Sequence, residues 1–306
     1  MKHIHNAVGI KYLPKTYLIE IGAISAFNKS IISNDKNHAK KKEYDTSLIT
    51  KVATPPTFSR FLNPGEFETE IDNPYSNRLD GGSEWHYFKD ITHGDIMTIS
   101  GEISRVKIKN GSLGDMCIVT SNFDYVNQKN ELSCTQISTI IYYNFSINHK
   151  INLTPHTTKI KQKPHEIPTT INIGYLNIGD ALPELIKQPS TQQLVMYAGA
   201  SRDFYQIHYD QQFAQAIGLP TVIVHGALKS AFLGQMLTNF INESANLTRL
   251  LVRYNSIDFE GCVMKCKGTI TNIHTTDSKK IIDCDVWIEN SDGIKTTKGT
   301  ATFKLN

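Results

Sequence analysis

Asp203 and His208 stand five residues apart in the segment YAGASRDFYQIHYDQQFAQAIGLPTVIVHG, residues 197–226. A carboxylate and an imidazole that share one water can take a proton from it and give one to a carbon, the two transfers needed to add water across a double bond. On a regular helix this spacing would splay the pair by roughly 140°. They therefore converge only on a loop or turn, and the polar run bounded by Gly199 and Ser201 is compatible with one. Gly226 supplies a third element, because the apolar stretch GALKSAFLGQMLTNFI begins there. A glycine at a helix start presents a free N–H, aligned with the helix dipole, to a developing oxyanion. Its bare Cα also lets a substrate come close. An Asp and a His at this spacing arise by chance in many chains, so the downstream elements give the pair its weight. Asp210 can cap a helix over QQFAQAIG that ends on Gly218, a Gly-Leu-Pro turn follows, and a short apolar run leads into His225-Gly226.

The elements that must position these groups are legible around them. The stretch Gly226 to Ile241 is apolar on most sides, which marks a buried helix. From Phe259 to Leu305 apolar and polar residues alternate over strand-length runs, broken by polar turns at Thr275–Lys279 and Asn290–Gly293. Gly94 to Tyr143 shows the same pattern, with turns at Lys109–Leu113 and Asn127–Asn130. Gly101 aligns with Gly268 and Val126 with Ile288, so a repeat of whole domains is the economical explanation. The proline-bearing, lysine-rich run HKINLTPHTTKIKQKPHEIPTT, residues 149–170, reads as the linker between them. The expected organisation is thus residues 1–148, a linker over 149–170, and residues 171–306. The expected fold class is α+β, with two antiparallel sheets each wrapped round a long central helix. In the first copy the stretch VATPPTFSRFL, Val52 to Leu62, aligns with VIVHGALKSAF and is the expected counterpart of the buried helix. That copy has Pro55-Pro56 where the second has His225-Gly226, and Asp35 and His38 only three apart in place of the Asp–His spacing. It is expected to be silent and to line the pocket.

The bulk properties exclude several classes. A net charge of +3 is too small to argue for nucleic acid as a partner. No apolar run reaches transmembrane length and the start of the chain has no secretory apolar core, so a cytoplasmic protein without membrane association is expected. Cys262 and Cys266 share one face of a strand-like run, but zinc would need two further ligands and none is near. The five cysteines therefore read as reduced thiols, and no metal is expected.

Asp-x4-His, an Asp two residues on, an Ala-rich helix, a Gly-x-Pro turn and a closing apolar-His-Gly together resemble the hydratase motif of MaoC-like hot-dog proteins. That family includes R-specific enoyl-CoA hydratases and 3-hydroxyacyl dehydratases. In the first half, ATPPTF (53–58) and LDGGSEWHYFKDITHGD (79–95) are similar to the noncatalytic hot dog of two-domain members. The resemblance implies a double hot dog whose C-terminal copy is catalytic. It implies a dyad of Asp203 and His208 and a carbonyl-polarising amide at Gly226. The substrate would be an acyl thioester of coenzyme A or acyl carrier protein, handled without metal or redox cofactor. His225 matches the motif, where it is usually structural. Tyr205-Gln206 stands where many members have Asn-Pro, so Tyr205 joins His225 as a substrate-pocket candidate. Two hot dogs in one chain can pair internally, which leaves a monomer or a homodimer of such units. A hot-dog thioesterase and a non-catalytic acyl-binding subunit are the competing functions.

Overall fold

The computed structural model describes residues 2–32, 51–62, 64, 66–111, 114–144, 176–241 and 244–306. The linker 149–170 and the pair Asp35 and His38 lie outside the described residues. In chain order the elements are β1 (Lys2–His3), β2 (Lys11–Leu18), α1 (Ile21–Ile31), β3 (Ile71–Asp72), β4 (Asn77–Tyr87), β5 (Ile96–Gly111), β6 (Gly114–Val126) and β7 (Leu132–Tyr143). The second half adds β8 (Leu185–Lys187), α2 (Thr191–Ser201), α3 (Gln211–Ala216), α4 (Gly226–Ile241), β9 (Ala245–Tyr254), β10 (Met264–Thr276), β11 (Lys279–Glu289) and β12 (Lys295–Leu305).

Ten strands form one sheet in the order β2-β5-β6-β7-β4-β9-β12-β11-β10-β8. Each half contributes five of them, and β4 and β9 join the halves edge to edge. The seam is antiparallel, with Gly82 opposite Arg253 and His86 opposite Arg249. Gly82 is required there: its φ is +131°, and a Cβ at that position would overlap the Val252 carbonyl oxygen. Polar groups reinforce the seam, for Arg249 Nε donates to Glu84 Oε1 at 2.7 Å and His86 Nε2 pairs with the same oxygen at 3.0 Å. The turns fall where the polar breaks predicted. β10 and β11 are joined through Asp277 and Ser278, both at positive φ, which suits the right-handed twist of a tight hairpin.

The fold is the expected double hot dog, and the structure refines two details. The two sheets are continuous, and among the described residues only the second half carries a long central helix. Helix α4 is buried along nearly its whole length, with Leu228, Phe232, Leu233 and Leu237 fully covered. In the first half the expected helical stretch Val52–Leu62 forms a single 3-10 turn, Pro56–Arg60. Two successive prolines open it, and Pro64 disfavours helix at the residue before it, so the chain between them has room for one turn. That turn still occupies the core: Thr57 Cγ2 and Pro56 Cβ approach the Gly234 position of α4.

Helix α1 packs on α2 from the other half. Its last carbonyls have no intrahelical donors. The buried Lys187 Nζ donates to Ile31 O at 2.7 Å and Gln193 Nε2 to Ser30 O at 3.0 Å. The main apolar core accordingly runs through both halves without a break, from Ile24 and Phe58 to Phe232 and Phe303. All five cysteines are buried and unpaired. No helix among the described residues is long and apolar enough to cross a membrane.

Candidate active site

Helix α2, capped by Ser190 Oγ at its start, ends at Arg202, whose left-handed backbone (φ 60°, ψ 23°) turns the chain out of the helix. The Arg202 guanidinium then lies over the Phe61 ring at 4.1 Å, which fixes the exit. Asp203 follows on an irregular segment, and a 3-10 turn at Gln206–His208 brings the chain back. Asp210 accepts from Phe213 N at 3.0 Å and caps α3, the role its position suggested. The chain thus bends between Asp203 and His208, as convergence of the two side chains demands.

Asp203, His208 and His225 each offer a ligand-type atom, and these atoms lie within 4.8 Å of one another. By distance this is the triple, among the described residues, that could hold a metal ion. His208 Nδ1 lies 2.9 Å from Ile223 O. A carbonyl only accepts, so Nδ1 carries the proton and Nε2 keeps its lone pair. Burial would raise the Asp203 carboxyl, but the nearby His208, His225, Arg60 and Arg78 hold it below the usual carboxylate range. Burial lowers His208, against the pull of Asp203 in the other direction. At neutral pH the pair is therefore a carboxylate beside a neutral imidazole.

His225, a pocket candidate on sequence grounds, is instead fully buried behind His208. The two rings stack at 3.7 Å with an interplanar angle of 21°. Tyr197 meets its edge at 5.2 Å. Burial, then the proximity of His208, pushes His225 down to about 3. An imidazole kept neutral in this way destabilises the fold on acidification. The unfolded chain takes up its proton near pH 6.5 and the native state does not, so the stability is complete above pH 6.5 and drains away as pH falls toward 3. Buried His208 acts with the same sign, whereas Asp203, lowered, withdraws its contribution only in stronger acid. Between pH 7 and pH 5 wild type is expected to lose about 2 kcal/mol more than His225→Phe, which keeps the aromatic stack and cannot titrate. Urea unfolding at the two pH values checks this, and parallel losses in the two proteins would refute it.

Gly226 opens α4, so its N–H has no acceptor within the helix. The ring of Tyr254 crowds its Cα: a Cβ would lie 2.8 Å from Tyr254 Cε2. Tyr254 is itself fixed by Ser230 Oγ at 2.5 Å. Asp203, Tyr205, His208 and Gly226 all line one cavity of about 700 Å³. A smaller cavity of about 370 Å³ between Ile4 and Ile71 holds none of them.

The large cavity also reveals residues that sequence reasoning missed. From the dyad it extends into the first half, where the Pro56–Arg60 turn, Asp80 of β4 and inward residues of β6 and β7 line it. Arg60 Nη2 binds Asp80 Oδ2 at 2.6 Å. Near Gly226 the buried Lys229 Nζ binds Asp258 Oδ2 and Ser256 O, each at 2.8 Å. Asp258 O in turn accepts from Val224 N at 2.8 Å, so one residue braces the chain on both sides of Gly226. For Lys229 the signal was a lysine on an otherwise apolar helix. Arg60 had no such mark.

Residues 6–136 match the family model described as FAS1-like, dehydratase domain region, and residues 155–288 match that of the MaoC like domain. Among solved structures, one described as a MaoC-like dehydratase superposes with a TM-score of 0.72 at 20% identity, covering 99% of each chain. Full-length peroxisomal multifunctional enzyme type 2 from Drosophila melanogaster gives a TM-score of 0.62 at 17% identity, over 97% of this chain and 48% of that one. A Mycobacterium tuberculosis protein described as having a double hot-dog fold gives 0.61 at 9% identity, over 96% of each. A search of curated proteins finds no match.

Proposed function

Because the chain joins a FAS1-like dehydratase region to a MaoC-like domain within one double hot dog, we propose that it is a hydro-lyase acting on acyl thioesters. The reaction is the reversible addition of water to a trans-2-enoyl thioester of coenzyme A or acyl carrier protein, giving the (3R)-hydroxyacyl product. The observation that carries this reading is the meeting of a carboxylate, a neutral imidazole and a helix-start glycine on one cavity wall.

His208 Nε2 accepts a hydrogen bond from the water and orients it, while Asp203 accepts its proton. The water oxygen bonds to C3 of the enoyl group. The C2–C3 π electrons move toward the thioester, and the carbonyl oxygen carries the charge as an enolate. The Gly226 N–H stabilises that oxygen, a single donor of this kind being worth about 3 kcal/mol of barrier. The proton then passes from the dyad to C2, so that one water is consumed and nothing else is released. The charge is met by a backbone amide and the protons by the dyad, so this chemistry calls on no metal or redox cofactor.

With crotonyl-CoA, the enoyl absorbance is expected to fall without release of free thiol. Thiol release would identify a thioesterase, and no change in either signal would leave an acyl-binding role.

A further inference from the structure

Resting on the hydro-lyase reading, the cavity wall contributed by the first half bears on which acyl group is handled. We infer that the preferred acyl chain bears a second oxygen function, a hydroxyl or a carboxylate, and that Arg60 binds it.

A guanidinium has five N–H donors. Arg60 gives one of them to Asp80 and makes no other hydrogen bond among the described residues. Arginine–carboxylate pairs that serve only to tie elements together gain most from two parallel bonds. This pair is single, and both side chains line the cavity. The remaining Arg60 donors have no protein acceptor among the described residues and lie on the cavity wall, open to a ligand oxygen. Beside Arg60, Ser59, Ser121, Gln136 and Ser138 line the wall together with Ile118 and Ile140. Ser59 and Gln136 are bonded to each other and to Trp85, Tyr125 and Ser83, and Ser121 to Tyr12, so it is over the Arg60 guanidinium that a plain alkyl chain would strip away water and return nothing. An oxygen on the chain replaces that water directly.

The test is calorimetric titration of the whole chain with three saturated acyl-CoAs of equal carbon count, ending in methyl, hydroxyl or carboxylate. None has a double bond to hydrate, so binding is read apart from catalysis. An oxygen-bearing ligand is expected to bind about tenfold tighter than the methyl one, the ratio that one hydrogen bond to a charged group supports. The better of the two oxygen ligands identifies the group. The preference should vanish in Arg60→Gln and in Arg60→Gln/Asp80→Asn, whose neutral pair preserves packing if the single variant does not fold. Equal or tighter binding of the methyl ligand, a preference that survives both variants, or no binding of any ligand would overturn the inference. Selective binding without hydration of the matching enoyl-CoA would instead overturn the hydro-lyase reading.

Discussion

Asp203→Asn is expected to slow crotonyl-CoA hydration by about 10²- to 10⁴-fold, the usual weight of a positioned acid–base group. The substitution keeps the shape of the side chain and removes only its ability to take a proton from water. Its neighbours are already arranged around a negative charge: His208, His225, Arg60 and Arg78 all favour the ionised carboxyl. His208→Ala should cost a similar factor, and the double variant little more than either, because the two side chains act on one water. The acid limb of the wild-type rate should lie below pH 6.5, since burial lowers His208 and the dyad works with that ring neutral. Steady-state rates with urea unfolding as a folding control decide the matter. A folded Asp203→Asn protein with an unchanged rate would remove Asp203 from the mechanism.

The second large effect concerns stability. Asp258→Ala is expected to destabilise the chain by about 3–5 kcal/mol, because it leaves the Lys229 ammonium buried and unpaired. The side chains of that pair are only 3% and 2% exposed, so solvent cannot take over from the missing carboxylate. Replacing both partners, Lys229→Met with Asp258→Leu, should recover most of the loss, since a buried pair is hard to break on one side and easy to replace as a whole. Denaturant midpoints of the three proteins test this. A single variant within about 1 kcal/mol of wild type would show that water reaches the lysine.

The parts of the site that could be read from sequence were those set by local spacing. Asp203 and His208 could meet only on a bend, and the structure contains the bend. Gly226 fell at a helix start because the apolar run began there. What could not be read was set by contacts between distant segments. Arg60 meets Asp80 across a turn and a strand, and Lys229 meets Asp258 across most of α4 and the strand that follows it. Neither pair has a periodicity to betray it. His225 was recognisable as part of a motif, but its stacking behind His208 depends on how the α4 start packs against the 3-10 turn. The first half was misread for a different reason. Its alignment with the second half suggested a helix, whereas Pro55, Pro56 and Pro64 allow a single turn. Local chemistry prevailed over the repeat.

The seam between β4 and β9 also bears on how such a molecule can diverge. Were each half a separate, identical subunit of a two-fold dimer, every substitution would appear twice, and a change that widened one lobe would damage the other lobe's catalyst as well. Carrying both copies on one polypeptide lifts that constraint while the strand pairing keeps them together. One lobe can then exchange His-Gly for Pro-Pro and carry a 3-10 turn in place of a long helix at that point, while under the proposed function its sister keeps the reactive groups. Under the proposed function, and among the described residues, the same division leaves no spare: a lesion in the second lobe would have no duplicate site to compensate for it.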